Sequence, residues 1–391
     1  MLRILTSGES HGRGCFVHID GFPAGVKVKP DDFNFWLAER QKGYGRGGRQ
    51  KIEKDEVDVL AGIRGGVTLG GPILLAVWNR DYNNWVDAMH PWNKSKGERA
   101  EKVTNPRPGH ADLVGAMKYD HDDCRNILER ASARETSARV AAGALCRVLL
   151  REFGIDLVGH VTQIASVHAN LEHVKTTDIR KLSMASEVRC CDPKAADRMI
   201  AAIKKAKQDK DSLGGVVEAR AWGLPIGLGS YTQWDVKLDA KIAEAMMSIQ
   251  AVKGVQIGIG FDGVNRPGSQ FHDEIIYTKN AHAGSHYRRT TNRLGGTEGG
   301  MTNGEEIVVR VAKKPISTLM RPLKTVDIRT KKPVDAIMER SDTCAVPALA
   351  IIVESVLASV LADVFLTRFG ADNLAQIKRN YKATAKALEK R

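Results

Sequence analysis

Residues 129–144 read Glu129-Arg130-Ala131-Ser132-Ala133-Arg134-Glu135-Thr136-Ser137-Ala138-Arg139-Val140-Ala141-Ala142-Gly143-Ala144. Ser132 with Glu135 is a capping-box pattern, in which hydroxyl and carboxylate each satisfy a backbone N–H at a helix entrance. The pattern predicts a helix starting close to Ser132, with Val140, Leu145, Val148 and Leu149 packing into the core. Its entrance carries unpaired N–H groups and a partial positive charge, and Arg130 and Arg134 lie within a turn of it. Such a place favours an anion. The same residues fit a surface helix, because Glu135 and Arg139 stand at the favourable i, i+4 spacing. Taken alone, the motif leaves the surface helix as the simpler account.

Upstream, Pro106-Arg107-Pro108-Gly109-His110-Ala111-Asp112 sets a histidine on a proline-stiffened turn, and Gly8-Glu9-Ser10-His11-Gly12 sets another on a glycine loop. That loop joins two expected strands in residues 1–30. Each histidine alone fits a structural role. Two on rigid turns beside arginine-rich loops fit acid–base work on a phosphorylated substrate. A helix is expected from Lys29-Pro30 to Arg40, followed by the loop Lys42-Gly43-Tyr44-Gly45-Arg46-Gly47-Gly48-Arg49, whose guanidinium forks suit phosphate or carboxylate. Val57–Asn79 reads as glycine-bounded strands, and a loosely similar pattern at Gly214–Gly227 hints at two related halves.

Downstream, a strand is expected near Ile155–Val167, then a polar helix with Ala195, Met199, Ile200 and Ile203 at helical spacing. An amphipathic helix from Asp239 to Ala251 and a strand from Gly254 to Gly260 follow, their junction a candidate ligand site. Residues 282–304 read as a long structureless stretch, functional or disordered. The strand Ile307–Val311 leads to Lys313-Lys314-Pro315-Ile316-Ser317-Thr318, which fits an anion site or a solvated turn equally. A helix is expected over Val334–Glu339, then Arg340-Ser341-Asp342. The apolar run Ala345–Leu366 approaches the length of a membrane span, but Glu354, Asp363 and Pro347 make it a buried helix. Residues 374–391 read as an exposed, Lys-rich amphipathic helix.

The chain has 391 residues, 42% hydrophobic, and its length alone suggests two or three domains. A formal charge of +13 points to anionic partners of any kind, nucleic acid and membrane surface included. The six cysteines show no C-x-x-C pair and no zinc-type spacing, so a reduced, cytoplasmic setting without a metal is expected. Met1–Thr6 is too short and too quickly polar for a signal peptide.

Five ordered stretches resemble the chorismate synthase family: Gly8–Gly12, Arg107–Asp112, Arg130–Ala144, Ser248–Gly254 and Arg340–Asp342. The likeness spans nearly the whole chain. It departs from the family pattern at Ala131, where Ser is usual, at Gln250, where Asn is usual, and at Thr343, where Pro is common. The resemblance implies an α+β fold, a β-α-β sandwich with internal pseudo-symmetry forming one domain over residues 1–391, and a cytoplasmic homotetramer. It also implies conversion of 5-enolpyruvylshikimate 3-phosphate to chorismate and phosphate by anti-1,4 elimination, with reduced FMN required and no net redox change.

By the same resemblance, His11 protonates the departing phosphate, His110 manages protons near flavin N1, and Asp342 assists near N5. Ser10, Arg40, Arg46, Arg49, Arg107, Ser132, Arg134 and Arg340 would contact substrate. Arg130, Ala131, Ser132, Gln250, Ala251, Gly299, Lys314, Pro315, Ile316, Ser317, Thr318 and Arg340 would hold the flavin, with Arg40 and Arg46 also associated with NADPH. The reductant would be NADPH or an external flavin reductase. Two rivals differ in class. A basic RNA-binding protein, suggested by the charge and Gly43–Arg49, needs aromatic platforms near its basic loops, and aromatics are only 6% and scattered. A redox flavoenzyme acting on an anionic substrate would consume NADPH stoichiometrically.

Overall fold

The computed structural model describes residues 2–48, 52–92, 97–282, 285–339 and 341–391. The first half of the chain forms β1 (Arg3–Gly8), β2 (Gly14–Asp20), α1 (Pro30–Gln41), β3 (Asp58–Ala61), β4 (Ile73–Trp78) and α2 (Thr136–Arg151). The second forms β5 (Asp156–Ile164), β6 (Gly215–Trp222), α3 (Leu238–Met247), β7 (Val252–Ile257), β8 (Ile307–Lys313) and α4 (Val346–Phe369). Strands lie in the order β1-β2-β4-β3 in one sheet and β5-β6-β8-β7 in the other, where short Val167–His168 extends the β5 edge. All these pairs are antiparallel. The two halves therefore repeat one topology, which is the pseudo-symmetry of an α+β fold. The glycine stretches at 57–79 and 214–227 are not its counterparts: Gly215 opens β6, whose equivalent is β2, whereas Ile73 opens β4, whose equivalent is β8.

Helices fill the space between the sheets. α2 packs on β2 and β4, α4 packs on β5 and β6, and the two helices pack on each other, giving a β-α-β sandwich with one apolar core running through both halves. β8 shows how the sequence specifies this, since Ile307, Val309 and Val311 alternate inward at the period of a strand. α4 is apolar all round, and 83% of its most hydrophobic window is buried, so it is an interior helix. Its buried Glu354 is matched by Arg147 and by Arg180 at 2.6 Å, and it accepts the Gly159 N–H at 2.8 Å. A buried carboxylate needs such partners.

Several sequence expectations give way. α2 is buried over most of its length, which removes the surface-helix reading. The capping box does not form: Ser132 caps instead by accepting from the Arg134 N–H at 3.2 Å, while Glu135 turns away to Thr6, Arg139 and Gln250. The entrance is a 3-10 turn, Ala133–Glu135, before the α-helix proper. Val334–Glu339 is not a helix, because Pro333–Asp335 pairs with Lys324–Val326 in a hairpin. Six residues are too few to hold a helix against that pairing. The described residues of 282–304 are also structured: Ser285–Arg289 pairs with Ile275–His282, and Thr297–Glu298 pairs with Met301–Thr302. The second hairpin turns on Gly299 and Gly300, at φ of 57° and 84°, the left-handed backbone that two-residue hairpin turns require.

α2 and α4 touch backbone to backbone at Gly143, where a Cβ would lie 2.3 Å from the Ser355 carbonyl oxygen. In an exposed helix, glycine costs ~1 kcal/mol relative to alanine. Here the sign reverses, and Gly143→Ala is expected to destabilise the protein by about 1–3 kcal/mol. A urea midpoint that rises instead would show that the crossing does not need the glycine.

Candidate active site

A cavity of about 770 Å³ opens where the first turns of α2 and α4 meet the loops that follow β1 and β8. Asp55 organises the wall from behind. Its fully buried carboxylate accepts from Arg40 Nη1 at 3.1 Å and from Arg134 Nη1 at 2.5 Å. Arg40 spends its other donors on Thr136 Oγ1 and the Ala133 carbonyl, both at 3.0 Å. Arg134 Nε reaches Asn79 at 2.8 Å, and the Asn79 amide in turn holds the carbonyls of Glu9, Ser10 and Gly12. The arginines at the helix entrance thus also set the histidine loop. Burial lowers the Arg40 guanidinium to about 10 against the pull of Asp55, and neighbouring Arg134 and Arg46 add to the lowering. Cations crowded in this way are relieved by an anion.

Both histidines face this cavity with carboxylates at their backs. His11 Nδ1 lies 2.8 Å from Glu129 Oε1, and its backbone N–H donates to Oε2 at 2.7 Å. The ring stacks on Trp85 with centroids 3.9 Å apart. His110 Nδ1 lies 2.5 Å from Asp112 Oδ1, and the same buried carboxylate accepts Arg107 Nε at 2.8 Å. Burial alone would raise the Asp112 carboxyl, but His110 and Arg107 hold it well below the usual carboxylate range. It is therefore an acceptor that faces His110 Nδ1, which Arg107 Nη2 also approaches at 3.1 Å. Arg107 Nη1 continues to Thr318 Oγ1 at 2.8 Å.

The far wall comes from the second half of the chain. Asp342 takes Arg46 Nη1 and the Gly47 N–H, each at 2.6 Å, so it pins the glycine loop across the cavity mouth. α3 ends at Met247 rather than Ala251, and the turn after it brings Gln250 and Ala251 to the wall. Ala251 sits at φ 68°, a left-handed backbone that costs a non-glycine residue ~1–3 kcal/mol. Its carbonyl accepts the Lys314 N–H at 2.9 Å. Lys313 is buried, with Nζ donating to the Lys314 carbonyl at 3.2 Å, and burial, with Arg46 and Lys314 adding to it, brings its ammonium down to about 8.

The structure thus gathers Ser10, His11, Arg40 and Arg46 with Arg107, His110, Ser132 and Arg134 on one cavity, together with Ala131, Gln250, Ala251 and Asp342. Lys314, Ile316, Ser317 and Thr318 join them, and Pro315 lies between without lining it. Two assignments fall away from the wall. Arg130 turns to the Thr6 and Gly8 carbonyls, and Gly299 is the hairpin turn described above. Arg49 and Arg340 lie outside the described residues. Glu129, Asp55 and Trp85 were not singled out for chemistry in the sequence, because His11 and Arg134, which they meet, are distant along the chain, and Asp112 was passed over although Arg107 and His110 lie within five residues of it. The available signal was Asp112, placed two residues after His110. Among the described residues no cluster of His, Cys, Asp and Glu could hold a metal.

Imidazoles with carboxylate partners, opposite a wall of cations, are equipped to give protons to a departing anion. Fold and site therefore define an acid–base enzyme acting on a small anionic substrate. The chorismate synthase family profile matches residues 2–366. A chorismate synthase from Geobacter sulfurreducens is 52% identical over 384 residues, covering 97% of this chain and 98% of its own. One from Moorella thermoacetica is 52% identical over 389 residues and the whole of both chains. A crystal structure of chorismate synthase superposes with a TM-score of 0.79 at 38% identity, over 100% of this chain and 99% of the other. The chain belongs to the chorismate synthase family, lyases that form chorismate in the shikimate pathway, and the family implies a requirement for reduced flavin.

The buried lysine gives a pH signature. Its folded value of about 8 lies below the ordinary 10.5, so between these the unfolded chain binds more protons and stability rises with pH. Lys313→Met is expected to exceed wild type in stability near neutral pH by up to about 3 kcal/mol. That advantage should shrink as pH climbs through the window, followed by urea denaturation at each pH; a constant difference would contradict the buried-charge account.

Proposed function

We propose that the cavity binds 5-enolpyruvylshikimate 3-phosphate beside reduced FMN and eliminates phosphate to give chorismate. The observation that carries this is the meeting, in one cavity, of two carboxylate-backed imidazoles with Arg40, Arg46, Arg107 and Arg134. A substrate with two carboxylates and a phosphate, beside a flavin bearing another phosphate, matches that cation density. The wall also fits the cofactor by what it leaves open. Gln250 Oε1 is buried without a donor, and Arg46 Nε and Arg134 Nη2 are buried without a hydrogen-bond acceptor. A ligand offering ring N–H groups together with anionic oxygens satisfies both kinds of orphan.

Ala131, Ser132, Gln250, Ala251 and the run Lys314–Thr318 would hold the flavin, whereas Arg130 and Gly299 are better placed as supports of the fold. Reduced flavin, when bound, supplies electron density reversibly, so that loss of hydrogen and phosphate leaves no net redox change. In the net reaction the substrate C6–H bond breaks, its hydrogen leaving as a proton and its electron pair forming a new ring double bond as the existing one shifts, and the C3–O bond breaks with its electron pair leaving on phosphate. His11 Nε2 gives its proton to that departing oxygen. His110, with Nδ1 fixed by Asp112, holds a proton at the reduced ring, and Asp342 shares that task while anchoring Arg46. Ser10 and Ser132 donate to substrate oxygens, and Arg49 and Arg340 complete the anion contacts.

The remaining features of the reading are proposals of the same kind. NADPH or an external reductase renews the flavin; Arg46 is the better NADPH contact, since each Arg40 nitrogen already donates one bond within the protein. The chain works in the cytoplasm, which suits six free, buried thiols. It assembles as a homotetramer, which would cover exposed Leu113, Val114 and Met117 and exposed Phe261 and Val264.

Anaerobic incubation with chemically reduced FMN and the enolpyruvyl substrate is expected to yield chorismate and phosphate in equal amounts without stoichiometric NADPH consumption. Absence of either product would sink the reading, and NADPH consumed mole for mole would favour a redox enzyme. His11→Ala and His110→Ala are each expected to lower turnover at least ~10²-fold while changing FMN affinity little. Wild-type turnover in either variant removes that residue from the mechanism.

A further inference from the structure

Glu129 lies in the last turn of the short helix Arg125–Ala131, inside the stretch that decides the fold, and the mechanism above gives it no task beyond standing behind His11. Its side chain is almost wholly buried, 3% exposed. It holds the Ser10–His11 segment at three points: its carbonyl accepts the Ser10 N–H at 2.9 Å, Oε2 accepts the His11 N–H at 2.7 Å, and Oε1 meets His11 Nδ1 at 2.8 Å. Arg125 Nη1 adds a bond to Oε1 at 3.1 Å. Burial would raise this carboxyl, yet its bonds with His11 hold it below its ordinary value. Trp85 lies flat against the ring, and Asp81 fixes the indole through a 3.2 Å bond from its Nε1. The imidazole of His11 is thus held edge-on by a carboxylate and face-on by an indole.

We propose that Glu129 is a positioning residue that keeps the His11 proton on Nδ1, so that the proton His11 gives away is always the one on Nε2. The proposal rests on the reading of His11 as the acid. An ionised carboxylate only accepts, so the nitrogen beside it must carry hydrogen. A free imidazole prefers no such arrangement strongly enough to rely on it; a buried partner decides it. With hydrogen held on Nδ1, giving up the Nε2 proton leaves a neutral ring whose remaining hydrogen stays beside the carboxylate. Its attachment to both His11 nitrogens, ring and backbone, makes the direction of Nε2 a property of the helix rather than of the glycine loop.

Glu129→Gln keeps the size but offers one acceptor to donors that now share two, and turns an NH2 group toward one of them. It is expected to lower kcat about 10²-fold while the KM for substrate and the Kd for FMN stay within about threefold. Glu129→Asp retains the charge and is expected to keep at least about tenfold more activity than the Gln variant. The signature that loop packing alone would not move is the tautomer. In 15N-histidine protein, with the His11 signals assigned by difference against His11→Ala, the neutral wild-type ring is expected to be protonated on Nδ1 and the ring in Glu129→Gln on Nε2.

A neutral wild-type His11 protonated on Nε2 would overturn the proposal, and this measurement needs no Glu129 variant to fold. A Glu129→Gln enzyme with near-normal kcat, beside an inactive His11→Ala, would overturn it too, as would a Gln variant whose loss lies in KM and FMN binding. Normal turnover in His11→Ala would remove the acid assignment itself, and the proposal with it.

Discussion

The molecule depends on the close crossing of α2 and α4 between the two sheets. Gly143 lets α2 approach the α4 backbone at Ser355, and Gly159 of β5 meets α4 at Ala350 in the same way, with a Cβ position only 2.2 Å from that carbonyl. Positions 143 and 355 lie a similar distance into their helices, so the crossing brings both helix starts to one place. There the segment 131–136 and the α4 residues Ala345, Ala348, Leu349 and Ile352 share a wall of the cavity. Partial positive charge at helix entrances adds to that of the arginines. Packing in the core thereby sets the electrostatics of the site.

Concentrating cations in a dry wall is costly unless something holds them apart from one another and from collapse. Buried carboxylates do that here. Asp55 spaces Arg40 from Arg134, Asp112 fixes Arg107, Asp342 fixes Arg46, and Glu39 takes Arg189 at 2.6 Å. Asp55, Asp112 and Asp342 each engage only part of a guanidinium, and Arg40, Arg46, Arg107 and Arg134 all line the cavity. The acidic residues are as much a part of anion recognition as the basic ones. They also explain why net charge is a poor guide to the partner, since the cations that matter face inward.

Sequence periodicity was enough for the elements whose side chains make the core. β8 alternates, α4 is continuously apolar, and both were legible from residue types alone. The misreadings come from competing pairings, two of them in short hairpins and one across the chain. Val334–Glu339 loses to the strand Lys324–Val326, Glu135 prefers Thr6 and Gln250 to its own helix cap, and the Gly299–Gly300 turn was taken as part of a loop rather than a hairpin. The site was legible as a set of motifs but not as a network. Glu129 stands within the opening stretch, yet its meaning lies 118 residues away at His11. A single chain read in order offers no physical signal for such a pair.

The pseudo-symmetry makes the asymmetry of the site informative. β1 and β2 are joined by residues 9–13, a loop tight enough to present Ser10 and His11 rigidly. Their counterparts β5 and β6 are joined by residues 165–214, which hold the helices Thr176–Ala185 and Pro193–Gln208. The first half therefore brings the short histidine loop, and the second brings the strained Ala251 turn and the run after β8. Had both halves kept a short loop, the two sheets would present equivalent groups to a symmetric ligand. A substrate with different ends needs different walls, and a repeated scaffold with unlike connections supplies them while the shared helical core keeps their spacing fixed.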